Sequence, residues 1–439
     1  MRDIKNLAER QLENGRSAKP LTPVEPGPIP ADWRVSEVGA VSMRVTNGFV
    51  GTSLTHQQSE PGVLYLQGFN IRPCRIELKQ ATYVTQSFHK TQAKSQLKEG
   101  DVLVVQSGHI GTAALIPPGF PEANCHALII VDLKRDQVDP DYFVQHLNSG
   151  VGQRRMRGLH VGSSMLHINT SELAAYRLPI PKLAEQRKIA EILRAWDEAI
   201  AKLEALRAAK SSRASGVAQT LLAPARAIGK HIPKTNWATT LFAEAFEERQ
   251  DRNGDLGPDD VVTVGKYAIR KQSEHFTRSV ASSDLSNYRV ISPGDFVYDP
   301  MSAYYGAIGR YQGTQDGIVS PAYRVICLRA DIAPEFMAAL LRSYPIRFQL
   351  DRKSSQGNKE GKRRIIQRDE FGSIEFNLPA LDTQRHIAAV LADFARDIAL
   401  ITDQLDALRR QKRGLMQKLL TGDWRVGLDQ AEVGGRQHD

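Results

Sequence analysis

The chain has 439 residues, 41% of them hydrophobic and 24% charged, which supplies roughly two to four folded domains and excludes wholesale disorder. Lys and Arg outnumber Asp and Glu 58 to 49, a net charge of +9 that suits a polyanionic partner without establishing one. Cys74, Cys125 and Cys327 stand far apart with no CxxC pair, which argues against a disulfide framework and against a zinc site and fits a reducing cytoplasm. Met1-Arg2-Asp3 opens no apolar leader, and the longest apolar runs, such as Ala127 to Val131, are far too short to span a bilayer, so no membrane is expected.

In chain order, residues 1–28 are polar and Pro- and Gly-rich, and read as a flexible arm. Residues 29–181 read as an α+β globule. Its apolar runs are bounded by Gly and Pro, as in Gly100-Asp101-Val102-Leu103-Val104-Val105 followed by Gly108-His109-Ile110-Gly111. From 182 to 223 the pattern turns helical, opened by Pro181 and stopped by Pro224. Its apolar positions are Ile189, Leu193, Trp196, Ile200 and Leu203, with a break at Arg207 and a resumption near Val217 and Leu221. Residues 224–379 form a second globule, where Gly294-Asp295-Phe296-Val297-Tyr298 and then Gly306-Ala307-Ile308-Gly309 repeat the earlier block. Residues 380–421, between Pro379 and Gly422, place Ile387, Leu391, Phe394, Ile398, Ile401, Leu405 and Leu408 in alternating steps of four and three, a coiled-coil seam. The tail, 422–439, carries Asp423-Trp424-Arg425-Val426, an echo of Asp32-Trp33-Arg34-Val35 that predicts packing near the N-terminus.

The two helical stretches are copies. Ile180-Pro181-Lys182-Leu183-Ala184-Glu185-Gln186-Arg187 falls on Leu378-Pro379-Ala380-Leu381-Asp382-Thr383-Gln384-Arg385, and the same shift carries Gly216 onto Gly414 and Leu221-Leu222 onto Leu419-Leu420. Helices of this length are rods of about 60 Å, and one apolar stripe each makes the other copy the natural partner. Asp139-Pro140-Asp141-Tyr142-Phe143-Val144 likewise resembles Ala333-Pro334-Glu335-Phe336-Met337-Ala338.

A basic, Gly- and Ser-rich stretch precedes each long helix. The first offers Arg154, Arg155, Arg157, His160, Ser163 and Ser164; the second offers Arg352, Lys353, Gln356, Asn358, Lys359, Lys362, Arg363 and Arg364. Arg suits phosphates and guanine edges, Gln and Asn suit adenine, and Gly admits a close backbone approach, so these are the candidate DNA contacts. No catalytic or metal constellation is expected. There is no phosphate-cradling or dinucleotide loop, and Tyr298-Asp299-Pro300-Met301 lacks the Asn and terminal aromatic of an amino-methyltransferase motif. His109, His126, His160, His167 and His275 are scattered, and Glu191 and Asp397 read as solvated charges.

Globule, helix, globule, helix resembles the plan of type I restriction-modification specificity subunits. The resemblance rests on Leu178-Pro179-Ile180-Pro181-Lys182-Leu183-Ala184-Glu185-Gln186-Arg187, the strand at Gly100, Gly317-Ile318-Val319-Ser320-Pro321-Ala322-Tyr323, and Lys418-Leu419-Leu420-Thr421-Gly422. It implies an α+β fold with two pseudo-symmetric target-recognition domains separated by two long helices in an antiparallel coiled coil. It implies a non-catalytic subunit that reads a bipartite double-stranded DNA target, with the helices fixing the gap. The implied partners are two methyltransferase subunits and restriction subunits, and S-adenosylmethionine, ATP and magnesium belong to those partners. A type IIB-like specificity chain and a non-DNA coiled-coil scaffold are the alternative readings.

Overall fold

A computed structural model describes residues 27–52, 57–58, 62–158, 167–222, 237–254, 257–258, 260–272, 284–357 and 363–427. Nearly all of the expected arm, and the tail after Gly427, lie outside them. The chain divides into two units, Met1–Leu203 with Gln404–Asp439, and Glu204–Asp403. The division falls within the long helices, Leu183–Leu222 and Leu381–Thr421, so each unit holds one globule and a portion of both helices.

The two globules share one sheet topology. In unit one a four-stranded antiparallel sheet runs Ser42–Asn47, Leu128–Leu133, Val102–Val105, Ala113–Leu115. In unit two the order is Phe246–Arg249, Arg324–Leu328, Phe296–Tyr298, Ile308–Arg310, again antiparallel. Each unit also closes with a two-strand ribbon, Arg34–Glu37 on Arg177–Ile180 and Ala238–Leu241 on Glu375–Leu378. Unit one adds a second sheet containing Val63–Leu66, Thr82–Val84 and Ala123–Cys125. The strands Val63–Leu66 and Val102–Val105 are buried along their whole length, which is why they read as unbroken apolar runs rather than alternating ones.

Within each unit the two helical portions run antiparallel against the globule. In unit one Ile189 and Leu193 share a core with Met416, Leu419 and Leu420, and Lys412 Nζ lies 2.6 Å from Asp197. In unit two Leu222 shares a core with Ile387 and Ala388, and Lys210 pairs with Asp397. Ile189, Leu193, Ile387, Ile401 and Leu405 are buried, whereas Trp196, Ile200, Leu203, Leu391, Phe394, Ile398 and Leu408 are half-buried. A pair of helices without a third layer leaves seam residues partly covered, and each fully buried one contributes about 1.5–3 kcal/mol.

The repeated motifs are hidden fasteners. Gln186 accepts the Asp139 N–H at 2.9 Å and donates to the carbonyls of Gln137 (3.0 Å) and Pro181 (2.9 Å). Gln384 repeats this on the Ala333 N–H (2.7 Å) and the carbonyls of Asp331 (3.4 Å) and Pro379 (2.8 Å). Both glutamines thus tie the start of a long helix to the start of a short one, Pro140–Asn148 or Pro334–Leu340. In the Gly-Asp pairs, Gly100 and Gly294 take φ of +84° and +97°, and each following aspartate is buried. Asp101 accepts the Lys98 N–H and pairs with Arg44 at 3.0 Å; Asp295 accepts the Ser292 N–H and pairs with Arg249 at 3.1 Å.

The Asp-Trp-Arg echo has a different basis from simple repetition. Arg425, from the tail, pairs with Asp32 at 2.7 Å and with the buried Glu185 at 2.7 Å, while Trp33 Nε1 donates to Glu185 at 3.3 Å. Gly422, at φ +78°, ends the second long helix where a Cβ would stand 2.3 Å from Pro30, so a side chain there would block the junction.

Candidate nucleic-acid interface

At one end of each four-stranded sheet, three segments converge: the turn after the central strand, a second short helix, and the chain returning toward the long helix. In unit one the central strand Val102–Val105 leads into Gln106, whose carbonyl accepts the Ile168 N–H at 2.9 Å. That bond lays the returning chain along the turn, with Ser107 Oγ 2.7 Å from His167 Nδ1. The helix Gly150–Gly158 packs so closely that a Cβ on Gly111 would meet Met156 at 2.8 Å. Unit two repeats the arrangement: the Ile366 N–H donates to the Pro300 carbonyl at 3.0 Å. There Arg364 joins all three segments, pairing with Asp351 of the helix Tyr344–Lys353 at 2.6 Å and lying 4.7 Å over the ring of Tyr304 in the turn.

The groups presented differ between the units. Unit one exposes Ser107, Gly108, His109, Arg154 and Arg157. Unit two exposes Arg347 and Arg352 together with Tyr305, Tyr344 and Phe348. The Tyr344 and Phe348 rings stack with centroids 6.1 Å apart, and Lys266 Nζ sits 4.7 Å over Tyr305. Cations interleaved with open aromatic faces can hold phosphates and contact bases.

The structure sorts the sequence candidates. Arg155 is corrected: it is buried, its guanidinium lies 4.3 Å over the Tyr176 ring, and it donates to the Arg177 carbonyl, so it braces the globule from within. Arg364 is half-buried and committed to Asp351 and Tyr304, and Lys353 donates to Ser373 Oγ at 2.8 Å; both hold the site together. Arg154, Arg157 and Arg352 are exposed. His160, Ser163, Ser164, Asn358, Lys359 and Lys362 lie outside the described residues. Gln356 and Arg363 belong to a short hairpin, Ser355–Gly357 on Arg363–Ile365, in which their side chains are outside the described set. Lys266, Tyr304, Tyr305, Tyr344, Arg347 and Phe348 were missed in the sequence reading. The pair Tyr344 and Phe348, four apart beside Arg347, carried a usable signal of one helix face.

Burial favours the neutral form of the interior histidines and thiols. Burial, with Arg155 nearby, pushes the His146 pKa down to about 3, and its Nε2 lies 2.8 Å from the Tyr176 hydroxyl. Burial pushes the Cys74 thiol up to about 12 and raises Cys125 as well, the opposite of an activated nucleophile. His126 is lowered by burial and lies 3.1 Å from the Tyr65 hydroxyl. Among the described residues, no three His, Cys, Asp or Glu side chains are grouped to hold a metal, and no helix is long and apolar enough to cross a membrane.

Residues 64–209 match the type I restriction modification DNA specificity domain. A putative type I restriction enzyme specificity subunit, MjaX, of Methanocaldococcus jannaschii is 28% identical over 189 residues, 40% of this chain. The match spans 42% of that relative's length. Among solved structures, the type I restriction-modification S subunit from M. genitalium is 14% identical with a TM-score of 0.54, covering 91% of this chain and 97% of that one. A chain from a study of assembly and conformational transition in a type I system is 15% identical with a TM-score of 0.52, covering 91% and 100%. At these identities the structural matches speak for the fold.

Proposed function

We propose, from its similarity to type I specificity subunits, that this chain is the sequence-reading, non-catalytic subunit of a DNA methylation and restriction complex. The observation that carries the reading is the repeated convergence at Gln106–Ile168 and Pro300–Ile366, which gives each unit one exposed, cation-bearing end. Each end takes one half of a bipartite double-stranded target, with Arg154, Arg157 and Arg352 on phosphates or guanine edges. Half-sites one helical turn apart lie about 34–36 Å from centre to centre, a span that helices of about 60 Å can set. The gap is then measured by length and not read as sequence.

The chemistry belongs to partners. Two methyltransferase subunits, each flipping an adenine and using S-adenosylmethionine, and restriction subunits driven by ATP with magnesium complete the assembly, in the cytoplasm. The buried thiols, the neutral interior histidine and the outward-facing basic ends support a binding role for this chain. The test is base-modification mapping of host DNA with and without the gene. Loss of adenine methylation at one bipartite motif is expected, and an unchanged methylation pattern in a host with working partner subunits overturns the proposal.

A further inference from the structure

Glu248, in the edge strand Phe246–Arg249, holds three arginines. Arg289 Nη1 lies 3.4 Å and Arg324 Nη1 3.1 Å from Oε1, and Arg368 Nε lies 3.2 Å from Oε2. They come from separate elements: Arg289 opens the strand Arg289–Ile291, Arg324 opens Arg324–Leu328, and Arg368 opens the helix Arg368–Gly372. Glu248 and Arg289 are buried, at 8% and 7%, whereas Arg324 is 40% and Arg368 66% exposed. The buried pair satisfies itself, and two accessible guanidiniums lean on a carboxylate already engaged. Three positive charges meet one negative, and Arg252 strengthens the field. Burial, and after it the guanidiniums of Arg252 and Arg324, lower the Arg289 pKa, against the opposing pull of Glu248.

The cluster lies at the converging end of unit two. Arg324 pairs in register with Tyr298, the last residue of the central strand, at the end where turn, helix and returning chain converge. A cleft of about 390 Å³ opens beside it, lined by Tyr298, Asp369, Phe371 and Ser373 as well as Glu248 and Arg368. Among the described residues of unit one, no carboxylate holds three arginines, and the matching end presents Ser107 and His167.

We propose that Arg324 and Arg368 are a phosphate anchor for unit two: backbone phosphodiesters of bound DNA supply the counter-charge that Glu248 alone cannot, and the Glu248–Arg289 pair positions both guanidiniums beforehand. This rests on the DNA reading above. Arginines already held in place lose little freedom on binding, and their fork matches a phosphate oxygen pair.

The experiment is fluorescence anisotropy of the full chain on a mixed-sequence duplex of about 30 base pairs, between 50 and 200 mM salt. Each lost phosphate contact lowers the log-log salt slope by about 0.9, so Arg324→Gln with Arg368→Gln lowers it by about 1.8. Over that fourfold salt range, the affinity gap between wild type and the double variant shrinks about twelvefold. Arg368→Gln alone, at a largely exposed position, gives a drop of about 0.9 should the double variant fold poorly. An unchanged slope in the arginine variants overturns the anchor while leaving the DNA reading intact. A wild-type chain that binds no duplex overturns both.

Discussion

Replacing Gln186 by Leu leaves three backbone groups at the head of the first long helix without their partner: the Asp139 N–H and the carbonyls of Gln137 and Pro181. A buried donor left unmade costs about 1–3 kcal/mol, and the two carbonyls add less because each has a second lone pair. Gln186→Leu therefore destabilises the head of that helix by about 2–4 kcal/mol. Gln384→Leu costs somewhat less, because its bond to the Asp331 carbonyl is long at 3.4 Å. Glutamate at either position keeps the acceptor and loses the donors, and falls between. A chain of two units need not unfold in one step, so amide hydrogen exchange read by mass spectrometry is the suitable assay. At about 1.4 kcal/mol per tenfold, protection around residues 183–193 drops roughly thirty- to several-hundred-fold in Gln186→Leu, with unit two unaffected. Gln384→Leu gives the mirror result. Protection within twofold of wild type in both variants refutes the account of the repeated motif as a structural staple.

Three further outcomes follow from named contacts. His146 has a folded pKa of about 3 against an ordinary 6.5, so its contribution is fully present above about pH 6.5 and is lost as pH falls through that window toward 3. At 1.36 kcal/mol per unit, unit one loses up to roughly 3 kcal/mol by pH 4.5, and His146→Gln flattens that dependence in urea titrations at the two pH values. Arg155→Gln lowers stability with the salt slope of DNA binding unchanged, whereas Arg352→Gln lowers the slope by about 0.9 with stability unchanged; exchange of these two outcomes reverses their assigned roles. Arg425→Ala strands the buried Glu185 beside Trp33 and weakens the junction of the tail with unit one, read as faster proteolysis near Asp423; an unaltered cleavage rate counts against the junction.

The frame was legible because it is periodic and duplicated. Seam residues such as Ile387 and Leu405 announced the helices by spacing, and the Pro-to-Gln-Arg starts announced the repeat. What the glutamines do was not legible, since their partners are backbone groups at Asp139 and Ala333, some fifty positions away in sequence. The site was legible only as a region. A basic stretch states charge and not direction, so Arg154, Arg155 and Arg157 looked equivalent until the helix turned Arg155 inward onto Tyr176. The Glu248 cluster had no local signal at all, because its members are gathered from four elements, three strands of two sheets and a helix, far apart in sequence.

Frame and end obey different constraints, and that difference predicts the form of the target. The buried fasteners recur almost atom for atom: Gln186 with Gln384, Asp101 with Asp295, and the bonds at Gln106 and Pro300. Each loses stability if changed, so both units keep it. The exposed ends are under no such constraint, and they diverge: Ser107 and His109 with Arg154 and Arg157 in one unit, Tyr305, Tyr344 and Phe348 with Arg347 and Arg352 in the other. A palindromic site mirrors identical reading surfaces, and these are not identical. The two halves of the recognised motif are therefore expected to differ in sequence, and unit two's half carries the greater share of the salt-dependent affinity. Methylation mapping reads the first point directly. A perfectly palindromic bipartite motif would mean that the divergent side chains do not read bases, and that recognition lies in segments common to both units.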